Sequence, residues 1–366
     1  MQTVIHYFSQ TGTGGIESWL LRYLTLETVN QKIKIPTLLI RKTGNLHDDF
    51  LKLKIPITVI GRFRNVISGI PVIIKTAKQQ SNKKNKLLHI HEYGLYGLLL
   101  ALLVKYLYGF KIVTHIHNTP DQNKAVYISE MIAVNILRVI SSNFIFCGVL
   151  TKQKWEKITL GRMNSITVRY GLPERSRGNW KRNSHPNFES KKKKVFILAR
   201  YSKQKNPDFV LDIARALADS DISIEWFGRG EEEQYLKKQI EERCLTEKLK
   251  LMGPINNPWD NLRLEEYGCM LLPSKFEGFP VVITEAICNG IDTIISSEIT
   301  NEFSSIETVS YLGIKNEDIQ SWKKSIMNKC SKVKSTKLDW DKIKDLRINI
   351  EDNSNDINCL YSTMYK

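Results

Sequence analysis

The sequence predicts an α/β protein made of two successive doubly wound domains, each organised on a parallel sheet. Three observations carry that prediction. Short β-branched runs alternate with helical patterns along both halves of the chain. The alternation breaks once, from Tyr170-Gly171-Leu172-Pro173 through the charged stretch Glu174 to Lys194, and then restarts. The length of 366 residues suits two domains of about 150 residues each. Strands alternating with helices imply βαβ units, and those imply parallel pairing.

The first strand spans Thr3 to Phe8, followed by a polar, Gly-rich turn from Ser9 to Gly15. Trp19, Leu20, Tyr23 and Leu24 then recur at helical spacing. Ile35 to Ile40 and Ile55 to Ile60 read as short strands, as does Leu87 to His91. Leu95 to Tyr108 reads as a buried helix, Ile112 to His117 as a strand, Met131 to Ile140 as a helix and Ser142 to Val149 as a strand. Past the break come strand Val195–Ala199, helix Asp208–Leu217, strand Ile222–Phe227, helix Glu232–Arg243 and strand Leu249–Met252. Strand Met270–Pro273, a helix opening near Val282 and strand Thr293–Ser296 follow, with a polar, mostly helical tail from Ile319. The domains expected are residues 1–175 and 195–340, with a linker at 176–194 and a terminal helix at 341–366. Two α/β domains of similar size place a cleft between them, where ligands usually sit.

Composition narrows the function classes. Apolar residues make up 42% and aromatics 9%, enough for full cores, so wholesale disorder is excluded. No uncharged apolar run reaches the roughly 18 residues of a membrane span, because Lys105 stops the longest one, Leu95 to Val104. The N-terminus lacks the basic start and apolar stretch of a secretion signal, so a cytoplasmic location is expected. The six cysteines have no CxxC spacing and read as thiols in a reducing compartment. The net charge of +16 is uneven: residues 1–190 carry 27 Lys+Arg against 10 Asp+Glu, whereas residues 191–366 carry 27 against 28. A basic half suits an anionic partner, whether nucleic acid, membrane or phosphorylated substrate.

Four constellations bear chemistry. Gly12-Thr13-Gly14-Gly15-Ile16-Glu17 joins a strand to a helix, where amides and the helix N-terminus favour an anion. A dinucleotide fingerprint would need Gly at Glu17, and a Walker loop would need Gly-Lys-Ser/Thr, so a plain tight βα turn stays open. Arg200, Lys203 and Lys205 follow the first strand of the second domain, at a strand end that faces the ligand crevice of a doubly wound sheet. These cations suit a diphosphate, with a solvated basic loop as the alternative. Pro273-Ser-Lys-Phe-Glu277-Gly278-Phe279-Pro280-Val281-Val-Ile-Thr-Glu285-Ala sets two carboxylates on either side of a turn that opens a helix. Such a layout holds hydroxyls by charge-assisted bonds while the helix N-terminus meets phosphate. A surface helix with an acidic start is the alternative. In Thr114-His115-Ile116-His117-Asn118, alternation puts both histidines on one side of a strand end. One of the two would face the cleft, with a structural role as the alternative, and His89 and His91 read as structural. No metal site is expected, since no third ligand lies at ligand spacing.

Gly14-Gly15-Ile16-Glu17, Arg200-x4-Lys205 and Glu277-Gly-Phe-Pro-x4-Glu285, in that order, resemble bacterial retaining glycosyltransferases of family four, of the kind found in capsule and O-antigen gene clusters. The resemblance runs from Met1 to about Gly313 and implies a GT-B fold of two facing Rossmann-like domains. It implies no cofactor and no metal, with a UDP- or GDP-sugar as the donor substrate. Arg200 and Lys205 would hold the diphosphate and Glu285 the ribose. Glu277 would contact the donor sugar, near the amides of Gly278, Phe279, Pro280 and Val281 as far as they carry N–H. Gly15 would approach the diphosphate from the other domain, and His117 would bond the donor sugar. Lys205, Glu277 and His117 are the implied catalytic residues, acting in a same-face displacement with retention. The end of the chain near Tyr361 resembles the helix that crosses back to the first domain in this family. Pro280 directly after Phe279, Asp292 in place of a common Pro, and Tyr170 in place of a frequent Asn depart from the family pattern.

The basic first half then suggests attachment to an anionic membrane, with Arg62 to Lys86 as an interfacial segment and a lipid-linked glycan as acceptor. Two other classes remain open. One is a GT-B-like epimerase or phosphorylase. The other is a non-catalytic binding protein, although no nucleic-acid-binding motif is present and nucleic acid is not expected as a partner.

Overall fold

The computed structural model describes residues 3–12, 14–30, 34–61, 71, 74, 75, 78, 85–120, 123–172, 193–331 and 340–365. Most of the segment Arg62 to Lys86 and residues 176–192 of the expected linker lie outside these. The chain divides into two compact units, residues 1–173 with 347–366, and residues 174–346.

The first unit carries β1 (Thr3–Gln10), α1 (Gly15–Asn30), β2 (Lys34–Lys42), α2 (His47–Lys52), β3 (Ile57–Val59), β4 (Lys86–Ile90), α3 (Leu95–Tyr108), β5 (Lys111–Ile116), α4 (Lys124–Ile140), β6 (Asn143–Phe146), α5 (Val149–Ile158) and β7 (Ser165–Thr167). Its seven strands are ordered β3-β2-β1-β4-β5-β6-β7, all parallel. Successive side chains alternate between the two faces of a strand. Ile5, Tyr7, Leu88, Ile90, Ile112 and Ile116 therefore meet Leu100, Val104, Val134 and Leu137 of α3 and α4 in one core. His6, His89, His91, His115 and His117 take the opposite face, all buried. Helix α4 starts earlier than periodicity predicts because the side chain of Asn123 caps it, accepting from the amide of Ala125 at 3.0 Å.

The second unit carries β8 (Lys194–Leu198), α6 (Pro207–Ala216), β9 (Ser223–Phe227), α7 (Glu233–Glu242), β10 (Leu249–Gly253), α8 (Pro258–Asn261), β11 (Tyr267–Leu272), α9 (Val281–Cys288), β12 (Thr293–Ser296), β13 (Val309–Leu312), α10 (Ile319–Ser331) and α11 (Trp340–Asp345). The order is β10-β9-β8-β11-β12-β13, again parallel. In both sheets the first strand lies inside the sheet, so the order reverses beside it. Ligands of doubly wound sheets bind at such points, beyond the carboxyl ends of the strands.

The tail is divided between the units. Helix α10 buries Trp322 and Ile326 in the second core. Lys329 there pairs with Asp292 at 2.8 Å, so Asp292 carries a structural ion pair. Helix α12 (Ile350–Thr363) instead packs on α1 of the first unit. Asn353 secures it: its Oδ1 accepts from the Trp19 indole at 3.0 Å and the Gly171 amide at 2.7 Å. Gly171 is required there, since a Cβ would stand 2.3 Å from the Asn349 carbonyl carbon. Asn353→Ala leaves two buried donors without an acceptor. It should lower the unfolding free energy of the first unit by about 2–4 kcal/mol, read by denaturant titration.

Candidate active site

Strands β8 and β11 are neighbours in the second sheet. Their carboxyl ends release the two loops that carry most of the expected site. After β8, Lys203 to Lys205 form a single 3-10 turn ended by Asn206, whose φ of 60° lies in the left-handed region. Asn tolerates that conformation better than most residues, and Pro207 then opens α6. After β11, Glu277-Gly-Phe-Pro turns the chain into α9, which starts at Val281.

The two loops are tied together. The Lys205 ammonium pairs with Oε1 of Glu277, with side chains only 14% and 10% exposed. Nε2 of Gln204 donates to the Phe276 carbonyl at 2.8 Å and to Oε2 of Glu277 at 3.2 Å. The Lys275 amide donates to the Gln204 carbonyl at 2.9 Å. Arg200 lies two residues beyond the end of β8 and is exposed. Glu285 is the fifth residue of α9 and is half-buried, accepting from the Trp259 indole N–H at 3.0 Å. The second unit thus gathers Lys205, Glu277 and the N-terminal end of α9 at one edge of the sheet. That set pairs positive charge and helix-end amides with a carboxylate, as recognition of a phosphorylated polyol requires.

Three features of this edge were not read from the sequence. Gln204 hides between two lysines, where spacing gives no cue. Trp259 sits on the four-residue helix α8, too short for periodicity. Gly228 and Gly230 follow β9, and their backbone presses on the loop after β8. A Cβ would stand 2.0 Å from the Ala199 carbonyl oxygen at Gly228 and 2.1 Å from that of Tyr201 at Gly230. The Gly-x-Gly spacing after a strand was the available signal.

In the first unit, Gly15 is exposed as the first residue of α1. Glu17 folds back over Gly14, so that a Cβ on Gly14 would stand 2.2 Å from its Oε2. A carboxylate already lies at this helix N-terminus. His117 is buried, with both ring nitrogens engaged: Nε2 meets His91 Nδ1 at 3.1 Å and Nδ1 meets the Tyr170 hydroxyl. Burial lowers its pKa to about 3 and keeps it neutral. A bond from this ring to a sugar would require giving up one of those partners. The sequence offered no third ligand beside His115 and His117, but the fold does. His91, His115 and His117 form one group, and His6, His89 and His91 another, each with ligand atoms within 4.8 Å. Parallel pairing of β1, β4 and β5 brings together residues that local spacing kept apart. Of the cysteines, four are buried, whereas Cys244 and Cys359 are exposed.

Residues 179–330 match the family described as Glycosyl transferases group 1. Its second unit thus resembles the Glycosyl transferases group 1 family. The family match falls in the second unit, on the loops just described. The capsular polysaccharide biosynthesis glycosyltransferase CapH of Staphylococcus aureus is 26% identical over 298 residues, covering 78% of this chain and 79% of CapH. The solved structure of HepE from Anabaena in complex with UDP-glucose aligns at a TM-score of 0.74 with 15% identity, covering 100% of this chain and 99% of that one. The lipopolysaccharide outer core galactosyltransferase WaaB aligns at 0.71 with 14% identity, covering 99% and 100%. The chain therefore has the GT-B fold that the resemblance implied.

Glu277→Ala would leave the Lys205 ammonium largely buried without its carboxylate. It should destabilise the second unit by about 3 kcal/mol. Adding Lys205→Ala should recover part of that loss, as a double-mutant cycle by denaturant unfolding would measure.

Proposed function

We propose that this glycosyltransferase moves a sugar from a UDP- or GDP-sugar to a lipid-linked glycan acceptor in surface polysaccharide synthesis, with retention and without a metal at the diphosphate. The observation that carries the reading is the Lys205–Glu277 pair at the head of α9. Lys205 and Arg200 hold the donor diphosphate. Glu277, relieved of Lys205 when phosphate takes that partner, accepts from sugar hydroxyls. The amides of Gly278, Phe279 and Val281 line the same turn, where Pro280 has none to give. Glu285 takes the ribose hydroxyls. Gly15 and His117 belong to the first unit. There Gly15 opens α1, and His117 holds the strand end at Ile116 to Asn118 in place.

The acceptor hydroxyl attacks the anomeric carbon on the face from which the diphosphate leaves. The C–O bond to phosphate breaks as the new one forms, and the departing phosphate oxygen takes the hydroxyl proton. The chain's task is to stabilise a departing anion. Two cations and a helix N-terminus supply charge for that without a divalent ion.

A membrane-bound acceptor fits a face of the first unit. No described helix is long and apolar enough to cross a membrane. Helix α4 nonetheless exposes Ile128 (42%), Ile132 (52%), Ile136 (39%) and Val139 (70%), at helical spacing along one side. On α3, which packs against it, Tyr106 and Leu107 are exposed as well. Lys124 and Arg138 lie on α4 and Lys105 on α3, against the single acidic residue Glu130. Exposed aliphatic side chains among cations suit an anionic lipid surface, and the basic charge of this half supplies the attraction.

Lys205→Ala should lower transfer roughly 10²–10³-fold, and Glu277→Gln similarly, in an assay of radiolabelled UDP- and GDP-sugars with a polyprenyl-diphosphate-linked glycan acceptor. Near-normal rates, or a donor consumed at full rate without acceptor, would contradict the assignment. Ile132→Asp with Ile136→Asp should abolish co-sedimentation with phosphatidylglycerol vesicles while leaving the fold unchanged by circular dichroism. Unchanged sedimentation would remove the lipid face. Loss of a dimer in gel filtration would instead assign that face to a second copy.

A further inference from the structure

The sheet face covered by α1 and α12 gathers five imidazoles from three adjacent strands. His6 lies opposite His89. Ile90 pairs with Thr114, so His91 and His115, the next residues, come level. His6, His89 and His115 are 0% exposed, and His91 and His117 are 4% and 3% exposed. The His91 and His115 ring centroids lie 5.4 Å apart, and those of His115 and His117 4.0 Å apart.

Hydrogen bonding satisfies part of this array. His6 Nδ1 meets His91 Nε2 at 3.0 Å, and His91 Nδ1 meets His117 Nε2 at 3.1 Å. The Tyr170 hydroxyl closes the chain at His117 Nδ1. His115 is left over: among the described residues neither of its nitrogens has a partner. A neutral imidazole always carries one N–H and one lone pair. Both are therefore buried and unused at His115. A fully apolar ring would serve packing better, so this histidine needs another explanation.

We propose that His91, His115 and His117 bind a divalent transition-metal ion of the zinc type through neutral imidazoles, as a structural centre of the first unit. The ligand atoms of the three rings lie within 4.8 Å of one another. Zinc–nitrogen bonds of about 2.0–2.1 Å in a tetrahedron set neighbouring nitrogens roughly 3.3 Å apart. Replacing the shared proton between His91 Nδ1 and His117 Nε2, now 3.1 Å apart, widens that pair by a few tenths of an ångström. His115 supplies the third lone pair. The remaining nitrogens already have the outer partners that metal-bound histidines use. When the ion takes the inner nitrogens, each ring carries its one proton outward, so that His117 Nδ1–H donates to the Tyr170 oxygen and His91 Nε2–H to His6 Nδ1. Imidazole-only ligation suits zinc, nickel or copper over magnesium or calcium, which prefer oxygen.

The test is elemental analysis of the full chain, purified through a tag that contains no histidine. After incubation with excess zinc and dialysis, about one equivalent per chain is expected, and cobalt loaded instead should show visible bands distinct from those of the free aqueous ion. His115→Asn should lose both, while His47→Gln, outside the array, should keep them. Zinc should also raise the thermal midpoint of the chelator-treated wild type but not of His115→Asn. Wild type holding less than about a tenth of an equivalent would overturn the proposal, as would full retention by His115→Asn. If His115→Asn does not fold, the metal content and cobalt spectrum of the wild type decide alone. These readouts are independent of sugar transfer, so the metal centre and the donor site stand or fall separately.

Discussion

The Lys205–Glu277 ion pair is the contact on which the candidate site depends. Two charges this far from water are costly to desolvate and are tolerated only when geometry and extra hydrogen bonds compensate. Here Gln204 provides them, bonding both the Glu277 carboxylate and the backbone beside it. The pair exists because β8 and β11 are adjacent and parallel, so both loops leave the sheet at the same edge. An arrangement this enclosed favours a partner that can replace one charge with another. A phosphate arriving at Lys205, as proposed, would do that and would free the Glu277 carboxylate to accept from sugar hydroxyls.

The two units solve the same problem with different second layers. In the second unit, α10 returns to the back of the sheet and buries Trp322 against it. In the first, the corresponding cover comes from the far end of the chain. Helix α12 is held to α1 by Asn353 and by Glu27, which accepts from Asn358 at 2.9 Å. A polar helix can serve as cover because the sheet face beneath it is itself polar, lined by histidines rather than aliphatic side chains. Sequence hydropathy along the tail therefore understates how much of it is buried.

Much of the fold was legible because strand, turn and helix signals agreed locally. The opening of α9 at Val281 followed from Glu277-Gly-Phe-Pro, and the division near Tyr170 from a drop in apolar content. The strand-end positions of Lys205 and Glu277 were legible for the same reason. Their direct pairing was not, because it depends on which strands lie side by side. The histidine array is the sharper case. His6, His89 and His115 are far apart in the chain, and only the order β1-β4-β5 brings them together. Local spacing at His115 and His117 gave no third ligand, although the fold supplied one. Gln204 and Trp259 escaped notice because neither a lone amide between lysines nor an indole on a four-residue helix leaves a periodic trace.

The central claim is that a nucleotide-sugar diphosphate binds at the strand edge where Lys205, Glu277 and the head of α9 meet. Amide hydrogen exchange with and without UDP-glucose or its GDP counterpart tests it most directly. The account predicts slowed exchange confined mainly to residues 200–206 and 277–285, and its loss in Lys205→Ala. Saturating donor that protects other segments and leaves these two unchanged would contradict it.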